Sequence, residues 1–481
     1  MSVGELLLGH RQPPPEPNTF GTKPTGIRPV ETTMSFAPTG VETDYQPPMA
    51  LPLRHFVVGL VSLVVAGVVG VAVALGVDSA LLPLAGLHLL LVGWVGVTIM
   101  GAMTQFVPVW SGTQLHSRRL AALQLWLVAG GLAGFVISLT TGTFAALSVF
   151  GGLMLAGLWL FAYNLVRTLP PLSECDITEL HFAVAVGFVA LLSTLGYALA
   201  VDLTTPFLAA VGLQRTHVVQ AHATVAIFGA VLTTVVGALY QLGPMFTQTE
   251  PDGVDHRLRQ FEAWGYPAGV LCLAGGRLLA VRPLARLGAA LVLVSLLLVA
   301  VLLARRLVET SVDPSPMLRR YGVVSVTLAG WAVLTAPSWL RDPLDPGATL
   351  GGAAATSLLV VGVVGFVVLG TLYHVVPFIV WEDAYSDRLG FEEVPMIDDL
   401  YDHRRASLDF LALTTGLGCL VGTQLGLLPP VARRVGAVLA LGGVSLFATN
   451  LLTVVRQHGD TTVPGLLTGR GADDERTTSG G

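Results

Sequence analysis

The sequence predicts an all-α integral membrane protein of about twelve transmembrane helices, arranged as three four-helix repeats related by a pseudo-three-fold axis. Three observations predict it. Of 481 residues, 53% are hydrophobic and only 12% charged, with mean hydropathy +0.71, whereas soluble domains carry about 25% charge. Apolar runs long enough to cross a hydrocarbon core recur along the chain. One glycine–proline pattern also returns three times at nearly even intervals. In lipid each backbone polar group must be paired, within a helix or around a closed barrel. These runs lack the alternation of barrel strands.

Residues 1–49 are rich in Pro, Thr and Gly and are expected to form a disordered cytoplasmic tail; they lack the apolar core of a signal peptide. The membrane domain is expected over 50–458, with repeats near 50–170, 171–310 and 311–458. Its spans are read as His55–Val77, Leu82–Trp110, Arg119–Leu139, Phe144–Leu169, His181–Val201, His217–Met245, Phe261–Val281, Leu284–Leu307, Tyr321–Leu340, Leu350–Trp381, Leu408–Leu425 and Val431–Val455. Residues 459–481 are polar and expected to be loose. All but seven of the 26 Lys and Arg residues fall on the side holding both termini. The exceptions are Arg215, Arg277, Arg282, Arg286, Arg341, Arg433 and Arg434. That bias predicts a multi-pass plasma-membrane protein with both termini cytoplasmic.

Net charge is −5 and Lys23 is the lone lysine, which argues against a nucleic-acid partner and against a polybasic lipid-binding segment. Cys175, Cys272 and Cys419 are far apart with no CxxC spacing, so they read as small buried hydrophobes.

The repeat is carried by the second, sixth and tenth helices. They read Gly93, Gly101 and Pro108; Gly229, Gly237 and Pro244; Gly362, Gly370 and Pro377. Glycines eight apart lie about 80° apart around a helix, so they admit a neighbouring helix or a flat ligand. The prolines are expected to end each helix. The first and fifth helices open with His55-Phe56 and His181-Phe182, and Tyr321-Gly322 is aligned with them in the ninth. His116, His256 and His403, each beside arginines, precede the third, seventh and eleventh helices.

Ionisable residues within spans are costly and mark sites by default. His88 lies about a turn into the second helix; His217 and His222 open the sixth. Imidazole is a good ligand for haem iron or copper. Gln105, Gln241 and His374 share one repeat position, preceded in two copies by Tyr240 and Tyr373, and are candidates for a polar proton or water path. The histidines at the inner helix ends are expected to contact headgroups, and the acidic loop from Glu382 to Asp402 is expected to be solvated.

Twelve helices in three four-helix arcs, with His88-Leu-Leu-Leu-Val-Gly93-Trp94 running on to Gly101 and Pro108, and His222 running to Pro244, resemble subunit I of the haem–copper oxidases and nitric-oxide reductases. The resemblance spans about Arg54 to Arg456 in architecture, and the second, sixth and tenth helices in residues. It implies a b-type haem ligated by His88 and a haem iron or copper ligated by His222, with His217, Gly93 and Gly101 beside them. It also implies handling of electrons, O2 or NO, a quinone or cytochrome donor, and further membrane subunits in the bilayer. The chain departs from that family at Ser357 and Ala355, where the tenth helix would carry histidines, and between Phe261 and Val281, which holds none. These departures leave enzymatic turnover open. They keep a second reading in view, a non-catalytic haem- or gas-binding protein like the NnrS proteins of nitric-oxide tolerance. A third reading, a secondary transporter, fits less well because such folds usually carry two repeats.

Overall fold

The computed structural model describes residues 47–77, 79–459 and 462–468. The long helices are α1 (Ala50–Ala74), α2 (Leu82–Trp110), α3 (Arg118–Thr141), α4 (Phe144–Val166), α5 (Ile177–Asp202), α6 (Arg215–Thr247), α7 (Gly253–Leu278), α8 (Arg282–Glu309), α9 (Pro316–Arg341), α10 (Pro346–Arg388), α11 (His403–Gln424) and α12 (Val431–His458). Eleven of them, all but α7, are long and apolar enough to cross a membrane. The chain is therefore a multi-pass helical membrane protein. α7 has the length but carries Asp255, Arg257, Arg259, Glu262 and Arg277, which lower its hydropathy.

Most of the expected tails lie outside the described residues. Within the C-terminal one, Val463–Thr468 is a short helix, α13. Its Leu466 is buried, and Leu466 O accepts from Arg54 Nε at 2.6 Å. The two described chain ends therefore meet on one face, the terminal face.

Caps set the helix starts: Ser117, Asp176, Asp252, Ser315 and Asp402 each accept backbone N–H groups of the first turn. The prolines do not end their helices. α2 and α6 run on for two or three residues beyond Pro108 and Pro244, to Trp110 and Thr247, and α10 runs from Pro377 on to Arg388; each proline removes a backbone donor from its helix without ending it. A feature invisible to periodicity lies upstream. α2, α6 and α10 each contain a π-helical stretch, Leu89–Gly96, Val225–Leu232 and Leu358–Gly365. Each begins four residues before Gly93, Gly229 and Gly362. Such turns are rare and frequently mark functional sites.

Candidate functional site: a histidine pair and three buried polar clusters

Gly93 and Gly101 pack helices. A Cβ on Gly93 would meet Leu132 and Ser62 at 2.7–2.8 Å, and one on Gly101 would lie 2.6 Å from His55 Cβ. Of the two occupants expected there, a neighbouring helix or a flat ligand, neighbouring helices fill these faces.

His88 Nδ1 donates to Leu84 O at 2.9 Å, and its ring lies 5.0 Å from that of Phe135. His222 Nδ1 pairs with Leu192 O at 3.0 Å, its ring set against Gly196, where a Cβ would meet Cε1 at 2.9 Å. A carbonyl only accepts, so each Nδ1 carries the hydrogen and each Nε2 presents its lone pair. A metal-ligating histidine usually donates its other ring N–H to a carbonyl or carboxylate in this way. His217 lies five residues before His222, on another face of α6.

Gln105, Gln241 and His374 do not line a common cavity. Gln105 is buried with Nε2 3.4 Å from Met49 Sδ, Gln241 is exposed, and His374 meets Phe246 edge-on and stacks on Phe378. Tyr240 and Tyr373 instead bind carboxylates.

Sequence reasoning missed those carboxylates. His181 Nε2 lies 3.1 Å from Glu262 Oε2, and Tyr240 OH donates to the same oxygen at 2.6 Å. Arg320 pairs with Asp409, which also accepts from Tyr373. The third such position holds neutral groups, with Gln124 Nε2 donating to Thr104 Oγ1 at 3.4 Å. Gly101, Gly237 and Gly370 sit against His55, His181 and Arg320 respectively. The ninth-helix counterpart of His55-Phe56 is accordingly Arg320-Tyr321, one residue earlier than the sequence alignment set it. His55 and His181 are buried in protein, not at headgroups, because each is clamped beside one of these glycines. The available signal was an acid inside an apolar run at the same offset, six residues after His256 and His403.

Two cavities and one filled space bear on the site. A cavity of about 90 Å³ between α1, α2, α5, α6, α9 and α10 is almost wholly apolar. All its lining residues except Trp110 fall into six sets matched by the glycine pattern, among them Phe56, Phe182 and Tyr321; Ala102, Ala238 and Thr371; and Met103, Leu239 and Leu372. A larger cavity of about 370 Å³ lies between α1, α2, α10, α11 and α12, and its lining includes no His, Cys or Met. Between α6, α7 and α9 the corresponding space is filled. Phe228, Trp331 and Trp339 pack as an aromatic cluster, and Arg277 lies over Trp339 and donates to Thr224 Oγ1 and Pro343 O.

Neither histidine of the pair lines these cavities. No cluster of three or more His, Cys, Asp or Glu able to hold a metal occurs among the described residues. In comparisons with known proteins, no family profile and no curated protein matches this chain.

Proposed function

We propose that the chain is a membrane metalloprotein built like subunit I of the haem–copper oxidases, with one metal centre held by His88 and His222. In this reading it has twelve spans in three four-helix repeats, both termini cytoplasmic in the plasma membrane. The matched π-helical turns and the six matched sets around the central cavity support triplication. The twelfth span is α7, whose Asp255, Glu262 and Arg277 are buried against protein instead of meeting lipid.

The observation that carries the metal reading is a half-buried imidazole on each of two different helices, each with Nδ1 tied to a carbonyl and Nε2 without a described partner. That donor set fits haem iron or copper. The cavity with most room offers no ligand, so the pair fits a metal ion more directly than it fits a macrocycle. When bound, the metal would supply redox chemistry toward O2 or NO, with electrons from a quinone or cytochrome. The protein supplies ligation, burial and exclusion of water.

A second reading, binding of a small apolar gas without turnover, is favoured by the central cavity, whose size suits a diatomic molecule or xenon. Optical spectra and metal analysis of detergent-purified protein from haem- and copper-replete cells, beside His88→Ala and His222→Ala, test the first reading. Metal or a Soret band lost in both variants supports it. A colourless, metal-free wild type removes it and leaves gas binding, which xenon uptake lost in Ala238→Leu would support.

A further inference from the structure

We propose that His181, Glu262 and Tyr240 form a proton-binding site, loaded from the terminal face through a water-sized cavity beside Tyr240. The inference stands apart from the metal reading, since it uses none of the same residues.

The proton count follows from geometry. His181 Nδ1 lies 2.6 Å from Ile177 O, which only accepts, so Nδ1 carries a hydrogen. Nε2 then faces Glu262 Oε2 at 3.1 Å. Two lone pairs would repel there, so one more proton lies between them, on the imidazole or on the carboxyl. Both side chains are buried. The pair is therefore neutral overall with one proton, and losing it would leave a net charge in low dielectric.

A route reaches this pair. Tyr240 also lines a cavity of about 30 Å³, whose other polar walls are Asp255, Arg259 and Arg306. That is room for at least one water with several polar partners. Asp255 is bonded to Arg305, which also holds exposed Asp252, so the cavity adjoins solvent on the terminal face. In the loading step a proton from bulk solvent is taken up by the cavity water, which passes one to the Tyr240 oxygen and is left neutral, while Tyr240 passes its own to Glu262. The phenol is unchanged and one proton from bulk water arrives at the pair. The remaining charged or titratable groups near it are Asp176, the cap of α5, Arg259 over the Tyr240 ring at 4.9 Å, and Tyr266 from α7.

The two matched clusters lack this capacity. Arg320 does not release its proton, so its bond to Asp409 is fixed. Beside Tyr373 stands Asn450. The His55 cluster has no acid, since Gln124 takes that position.

Infrared difference spectra of the full-length protein in detergent, stepped in pH in H2O and D2O, test the site. Wild type is expected to give pH-dependent carboxyl bands that Glu262→Gln lacks. The double variant His181→Arg with Glu262→Asp, which copies the Arg320–Asp409 pair, is expected to be silent in pH, and serves as the reference if Glu262→Gln does not fold. Tyr240→Phe should keep the bands and slow their D2O exchange by an order of magnitude or more. A wild-type spectrum superimposable on that of the silent variant at every pH overturns the proton site. Exchange as fast in Tyr240→Phe as in wild type overturns the loading route.

Discussion

Arg320 on α9 donates to Asp409 on α11 with both side chains fully out of solvent, and Tyr373 gives the same carboxylate a second donor. Arg320 also donates to Pro316 O and Ala406 O, and lies over the Tyr373 ring at 4.6 Å. Removing one partner strands the other charge. Arg320→Ala or Asp409→Ala is expected to destabilise the fold by about 3–5 kcal/mol. Asp409→Asn, which keeps the hydrogen-bonding shape but not the charge, should cost less than Asp409→Ala. Thermal melts in detergent check this; a wild-type curve for Arg320→Ala would show the pair to be dispensable.

Gly237 and Gly130 separate packing from helix propensity. A Cβ at Gly237 would sit 2.6 Å from His181 Cβ, whereas one at Gly130 meets nothing within 4 Å. Gly237→Ala must push α5 from α6, at about 1–3 kcal/mol. Gly130→Ala should be neutral or stabilising by up to about 1 kcal/mol. The same melts read both, and equal behaviour of the two variants would refute close packing at Gly237.

For the histidine pair, metal content and stability should come apart. The one described hydrogen bond of His88 goes to a carbonyl of its own helix, so His88→Ala should cost about 1 kcal/mol or less while abolishing bound metal. A melting point far below wild type would assign the residue to packing.

Asp252 provides a pH signature on the terminal face. The backbone N–H of Asp255, and then Arg305, hold its carboxyl down from 3.8 to about 2. A carboxyl depressed on folding stabilises the fold above its unfolded value. That contribution is present above about pH 4 and is lost as pH falls toward 2. Melting temperature between pH 5 and pH 2 should therefore fall less steeply in Asp252→Asn than in wild type.

Much of the fold was legible in the chain. Apolar runs marked the spans because lipid leaves an unbroken helix as the available solution, and Gly93, Gly229 and Gly362 with their partners marked the pattern. α7 was harder, since Asp255 and Glu262 look like loop residues until their partners are known. His88 and His222 were legible as ionisable groups within spans. Their placement relative to one another was not, because periodicity puts a residue on a face of its own helix and does not say which helix packs beside it.

By itself the sequence determined that this is a many-helix membrane protein, since hydropathy and backbone satisfaction are properties of single segments. Tertiary structure alone decided that His181 meets Glu262 and Arg320 meets Asp409. Residues 81 and 89 positions apart are joined only when helices pack, and the cost of an unpaired charge in the bundle then selects the partner.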